Sequence, residues 1–133
     1  PDLHDYLTLC GRQGRFEHQS RTASGRLVKY RVKEGDNIAA SKAERNGKNT
    51  PVQGTSADVT KLALGKLIRE FKKARIDAKI CHVVHDEIIS EVAEEDIERA
   101  LEIQERVMIE AGETYITSIP VKLDTHISDR WKK

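Results

Sequence analysis

Three groups of side chains in this sequence have types and spacings that can do chemistry. The first lies in the run VVHDEIISEV, Val83 to Val92, where His85, Asp86 and Glu87 stand between two apolar stretches. Unpaired carboxylates are costly to bury, so these acids need either water or cations. A Mg²⁺ ion takes roughly six oxygens near 2.1 Å, supplied by carboxylates, water and phosphate. Two-metal phosphoryl-transfer centres span about 3.5–4 Å and combine ligands around both ions. One acidic segment supplies only part of such a set. Taken alone, these residues suit a solvated turn as well as a metal site.

The second group is Arg45, Asn49 and Gln53 in ERNGKNTPVQGTSADVTKLAL. Steps of four put Arg45 and Asn49 on one helix face, and Gln53 continues the row past Pro51. An Arg and two amides in a row can donate to the purine N3 and pyrimidine O2 acceptors that line a minor groove at every base pair. Local roles compete with this. Gln53 could close a capping box begun at Thr50, and Arg45 and Asn49 could simply end a helix. The third group, Cys81-His82 with His85, holds metal-ligand types but lacks the second pair of ligands that a structural zinc site needs.

Elements must position these residues. Asp2 to Gln13 reads as a helix end, with Leu3, Tyr6, Leu7 and Cys10 on one face and Gly11 and Gly14 as its stop. RFEHQSRTASGRLVKYRV reads as a hairpin turning at Ala23-Ser24-Gly25. Asp36 can cap a helix over roughly 37–48. Pro51 would remove a helical hydrogen bond and clash with the Gly47 carbonyl, so a new helix is expected to start there. Along it Val59, Leu62, Ala63, Leu67 and Phe71 line one face to about Arg75. Ala78–Val84 and Ile88–Val92 read as strands flanking the acidic turn. Glu94–Ala111 reads as an amphipathic helix with Ile97, Ala100, Leu101, Gln104 and Met108 in its stripe and Gly112 as its stop. Pro120–Ile127 alternates like a strand. The sum is an α+β unit with a small antiparallel sheet, which three strands would leave short of a neighbour.

Composition narrows the class. The 133 residues carry 38% hydrophobic and 34% charged side chains, polar for a compact domain but well short of disorder. No apolar run approaches the roughly 18 residues of a membrane span. No targeting segment is visible, so a cytoplasmic setting is expected. Cys10 and Cys81 form neither a disulfide framework nor a CxxC pair, which suits a reducing compartment. The net charge of +1 hides an uneven distribution: residues 11–48 hold ten Lys/Arg against four Asp/Glu, 61–79 hold seven against two, and 85–113 hold two against eleven. The first two segments suit a polyanion. The third repels one unless cations intervene.

The order of the motifs goes further. NTPVQGTSADVTKLAL, a strand, VVHDEI, an acidic helix and then PVKLDTHISDRW resemble the C-terminal part of family A (DNA polymerase I-like) DNA polymerases. That family has N-x-P-x-Q-G-T-x-A-D-I/V followed by K-x-A on a palm helix, V-H-D-E at a hairpin tip, and a strand that ends near a Trp. RTASGRLVKY is similar to its T-x-x-G-R-R segment. The resemblance covers nearly the whole chain. It implies a partial polymerase palm: about three strands plus a separate hairpin on two to three long helices, with residues 1–48 as helix, hairpin and basic helix and 49–133 as the palm core.

The resemblance also implies roles. Asp86 would be one of two palm aspartates holding two Mg²⁺ ions, with Glu87 as its acidic neighbour in support. His85 would sit against the primer end. Arg45, Asn49 and Gln53 would touch the minor groove of primer–template DNA. Deoxynucleoside triphosphates would be the other substrate, and the remaining palm, the fingers and the thumb would be partners; no membrane is implied. The departures are GRLVKY, which is less basic than the family's run and lacks its following Pro, and Lys48, which replaces an apolar residue. The sequence contains no D-x-S-x-x-E segment for the other aspartate, no R-x-x-x-K-x-x-x-F-G-x-x-Y-G fingers helix and no 3′–5′ exonuclease segment. The expectation is a C-terminal palm fragment of a template-directed DNA polymerase that does not polymerise alone. The alternatives are a non-catalytic duplex-binding module of palm shape and a small metal-dependent nuclease on Asp86 and Glu87.

Overall fold

The computed structural model describes residues 3–117 and 120–130, which fall into two compact units, one ending at Ser56 and the other starting at Ala57. The order of elements is α1 (Leu3–Arg12), a π-helical segment (Gln13–Glu17), β1 (Gln19–Arg21), β2 (Leu27–Lys29), α2 (Asn37–Ala74), β3 (Ala78–Val84), β4 (Glu87–Val92), a 3-10 turn (Glu94–Asp96) and α3 (Ile97–Tyr115). The class is α+β with two antiparallel two-stranded sheets, β1-β2 and β3-β4.

In the first unit the hairpin forms as expected, with Gln19 opposite Lys29 and Arg21 opposite Leu27. Gly25 has φ +90 in the turn, a value that glycine adopts without the Cβ penalty. Asp36 caps α2 by accepting from the Ala39 N–H at 3.0 Å. Two expectations fail. Gly14 does not stop the first helix, which continues as the π-helical segment to Glu17. Its lack of a side chain serves packing instead: a Cβ there would strike the Ala43 carbonyl, and one on Gly47 would lie 2.6 Å from the Cys10 carbonyl oxygen. Pro51 does not start a new helix either, because α2 runs through it. The Gly47 carbonyl still loses its donor, at a cost of about 3 kcal/mol. Close backbone packing at Gly47 lies before Pro51, and hairpin contacts lie on both sides of it, at Thr50 and at Gly54 and Thr55. The capping box therefore does not exist; the Thr50 hydroxyl lies 2.8 Å from the Tyr30 hydroxyl.

In the second unit the core is Ala63, Leu67, Phe71, Ile76, Ile88, Ala100, Val107 and Ala111, with Val59 and Leu62 packed against it. The helical spacing of the α2 residues carries over directly. α2 ends in a Schellman arrangement: Arg75 has φ 55, its N–H bonds the Lys72 carbonyl at 3.2 Å, and the Ile76 N–H reaches the Phe71 carbonyl at 3.4 Å. Phe71 and Ile76 both enter the core, which fixes the exit of the chain into β3.

β3 and β4 pair from Ala78↔Val92 to Val84↔Glu87, with a register shift between Ile80 and His82 that leaves Cys81 as a bulge. A regular strand sends residues three apart to opposite faces. The bulge lets both Ile80 and Val83 meet the core. α3 starts later and ends later than its pattern suggests. Gly112 lies buried inside it, where a Cβ would sit 2.9 Å from a Val121 methyl. The stripe is led by Ala100, Val107 and Ala111 rather than by Met108. Pro120–Ile127 forms no strand among the described residues. Its alternation survives only in part: Val121 and Leu123 are half-buried between exposed Lys122 and Asp124, whereas Thr125 and Ile127, expected on the same face, are exposed. No backbone edge pairs with it, and a strand requires one. Trp131, part of the closing motif, lies outside the described residues.

Candidate functional site

Arg45, Asn49 and Gln53 belong to the first unit. At about 3.6 residues per turn they advance slowly around one face of α2. Ala43, Gly47, Pro51 and Gly54 are buried on the opposite face, whereas all three row residues are exposed. The helix therefore continues across Pro51 with the row facing solvent. Among the described residues, the side chains of the row make no hydrogen bond or ion pair. The same face carries exposed Ser41, Lys42, Val52 and Ser56 and no acid. Glu44 lies to one side, bound to Arg15 at 3.0 Å. An exposed helix face with one Arg, one Lys and two amides, all without partners, can donate hydrogen bonds to a ligand rich in acceptors.

The hairpin supports this face from behind. The Tyr30 hydroxyl touches Ser20 at 2.9 Å and Thr50 at 2.8 Å. The Ala23 N–H donates to the Thr55 hydroxyl at 2.9 Å. Sequence reasoning missed Tyr30 and Thr55, and it read Thr50 as the start of a capping box and not as a hairpin contact. Their partners are ten to thirty-two positions apart, so no local pattern marks them. Only the hairpin register brings Tyr30 beside Ser20.

In the second unit, His85 and Asp86 are the two loop residues between Val84 and Glu87, so they form the tip of the β3-β4 hairpin. His85 takes φ 54, uncommon for a residue with a Cβ and costly by about 1–2 kcal/mol. Strain of this kind is often kept where it aims a side chain. His85, Asp86 and Glu87 are all exposed, and among the described residues their side chains make no hydrogen bond or ion pair. Val83 and Ile88 anchor the hairpin in the core, and Gln104 of α3 bonds the Ile88 carbonyl at 3.1 Å and Ser90 at 3.0 Å. The tip is thus a firmly held pair of acids with nothing to offset their charge.

No group of three or more His, Cys, Asp or Glu side chains converges among the described residues. The acids of the tip fit part of a Mg²⁺ ligand set, supplying about two of its roughly six oxygen ligands and leaving the rest to come from elsewhere or from water. Cys81 is exposed, and its sulfur lies 3.6 Å from the Lys79 carbonyl and 3.8 Å from Glu91. Outside both sites, burial first and the neighbouring Cys10 second push the Tyr6 phenol above its ordinary pKa. No helix among the described residues is long and apolar enough to cross a membrane.

Comparison with known proteins gives a consistent result. A model of "DNA polymerase family A" matches residues 1–133. DNA polymerase I of Aquifex aeolicus is 41% identical over 85 residues, 64% of this chain and 15% of that protein. DNA polymerase I of Lactococcus lactis is 34% identical over 132 residues, 98% of this chain and 15% of that protein. Among solved structures, the POL domain of Pol1 from M. smegmatis, in complex with DNA primer-template and dNTP, superposes with a TM-score of 0.75. It is 28% identical, and the match covers 81% of this chain and 19% of that one. The chain thus spans 15% of the length of each of those two curated relatives.

Proposed function

This chain belongs to DNA polymerase family A, and from that premise we propose that it supplies the C-terminal palm portion of a template-directed DNA polymerase. The whole protein adds deoxynucleotides to a primer 3′ end on primer–template DNA, in the cytoplasm, in replication or repair. One observation carries this reading: in a chain matched along its whole length to that family, a bulged, core-anchored hairpin holds two uncompensated acids at its tip.

In this reading Asp86 would hold Mg²⁺ together with an aspartate that these 133 residues do not supply. Glu87 supports the charge of that site without being an obligatory ligand. A Mg²⁺ ion held there would supply a lowered pKa for the primer 3′-hydroxyl and charge to offset that on the transferring phosphoryl group. His85, fixed by its left-handed backbone, contacts the primer end. Arg45, Asn49 and Gln53 donate to minor-groove acceptors of the duplex. Those acceptors are present at every base pair, so the row checks paired geometry and not sequence. Lys42, on the same face, adds a charge suited to phosphate.

The test is complementation. The chain is combined with the remainder of a family A polymerase, including its fingers helix and first palm aspartate, and primer extension with Mg²⁺ is measured. Extension is expected from the complex and from neither part alone. No extension in a complex verified by co-purification would overturn the catalytic reading. Duplex binding that persists without extension would favour the second reading, a non-catalytic duplex-binding module, which the exposed cationic face of α2 also suits. Its affinity should then fall steeply with salt.

A further inference from the structure

We propose that the β1-β2 hairpin splints α2 across Pro51, and that Tyr30 and Thr55 are positioning residues that keep Asn49 and Gln53 in one row; this rests on the reading of that row as a duplex contact. Pro51 stands between the two amides and deprives the Gly47 carbonyl of its helical donor. Helices kink at such breaks unless other contacts hold them. Here the hairpin touches the helix on both sides of the break.

Before the break, the Tyr30 hydroxyl bridges Thr50 at 2.8 Å and Ser20 of β1 at 2.9 Å. One phenol proton can serve only one of these oxygens, so the other hydroxyl donates back. After the break, the Thr55 hydroxyl accepts from the Ala23 N–H at 2.9 Å and donates to the Pro51 carbonyl at 2.5 Å. One oxygen thus ties the hairpin turn to the residue that weakens the helix. Between these anchors, Gly54 lets the hairpin approach closely, since a Cβ there would lie 2.5 Å from the Thr22 methyl.

Each anchor is close to a row residue in sequence and faces away from the row. Thr50 follows Asn49, and Thr55 lies two residues after Gln53, so a shift of either anchor turns the neighbouring amide about the helix axis. With both anchors fixed, the amides stay one helical turn apart, although the backbone between them lacks a bond. The hairpin therefore acts on a duplex through the row and needs no contact of its own to do so.

A double-mutant cycle on primer–template affinity in the full-length protein tests this. Gln53→Ala is expected to weaken binding about fivefold, the size of one net hydrogen bond. Asn49→Ala should cost about as much, Tyr30→Phe should weaken binding by a similar factor, and adding it to Asn49→Ala should cost less than about twofold more, because the amide beside its Thr50 anchor is already gone. Amide exchange over residues 49–55 should quicken in Tyr30→Phe. A merely structural role would instead lower the melting temperature and leave the two losses independent. If Tyr30→Phe does not fold, Thr55→Val, which keeps the shape and loses the hydroxyl, replaces it in a cycle with Gln53→Ala, the amide nearest its own anchor. Losses that multiply fully would overturn the splint and leave the duplex contact standing, as would unchanged affinity in a folded Tyr30→Phe. Unchanged affinity in Gln53→Ala would overturn the contact itself, and the splint with it.

Discussion

The two candidate sites are built on opposite terms. The row Arg45–Asn49–Gln53 stands on a helix face whose support comes from within the chain: backbone packing at Ala43 and Gly47, and a hairpin tied to Thr50 and Thr55. Its side chains are all exposed. The His85–Asp86 tip is short, carries a strained backbone angle and presents acids that nothing among the described residues neutralises. The row is complete as a surface. The tip is half of something. A binding face can be finished by one helix, whereas a metal centre needs more oxygens than one turn can offer.

If this contrast is right, removal of one side chain should have very different effects at the two places. Asp86→Ala in the full-length protein should reduce primer extension about a thousandfold, the rate equivalent of several kcal/mol of lost charge stabilisation, and leave duplex affinity nearly unchanged. Equal losses in extension and affinity would erase the distinction. A core substitution sets the scale for indirect damage. Leu67→Ala, at a position with no exposure, should cost about 2–5 kcal/mol in denaturant unfolding, because the cavity cannot fully collapse. Any loss of extension it causes should disappear at lower temperature, unlike that of Asp86→Ala.

At the row, Arg45→Ala should weaken duplex binding about five- to tenfold and spare the extension rate at saturating DNA. It should do so on duplexes of any sequence, which titrations on two unrelated duplexes would check. The smallest effect belongs to the strained backbone. His85→Gly should raise stability by about 1 kcal/mol in chemical unfolding, since glycine accepts φ 54 without a Cβ clash, and should slow extension severalfold. A stabilised variant with full activity would show that the His85 side chain has no part in function.

These contrasts also separate what the sequence displays from what it conceals. The Asp36 cap, the hairpin turn at Ala23-Ser24-Gly25, the core stripe Ala63–Leu67–Phe71 and the strands around the HDE turn rest on local chemistry and were legible. Gly14, Pro51 and Gly112 misled. Each reads as a stop by its backbone preference, yet each lies inside a helix, where its role is set by a segment that is remote in sequence. Pro120–Ile127 alternates like a strand, but a strand also needs a neighbouring edge, which no run of residues can announce about itself. The row was visible as a spacing. That it faces solvent became clear only with the helix continuous through Pro51. The tip was visible as a charged break between apolar runs, and its chemistry came from the order of motifs.

The central claim is that Asp86 is a metal ligand in a centre completed from outside this chain. The most direct measurement is Mn²⁺-induced relaxation of the backbone amide signals at Asp86 and Glu87 in the full-length protein bound to primer–template and dNTP. Strong broadening at these two amides, lost in Asp86→Asn and absent from exposed Glu98 and Glu102 of α3, is the predicted result. Broadening spread evenly over the acidic residues of α3, or unchanged in Asp86→Asn, would contradict it.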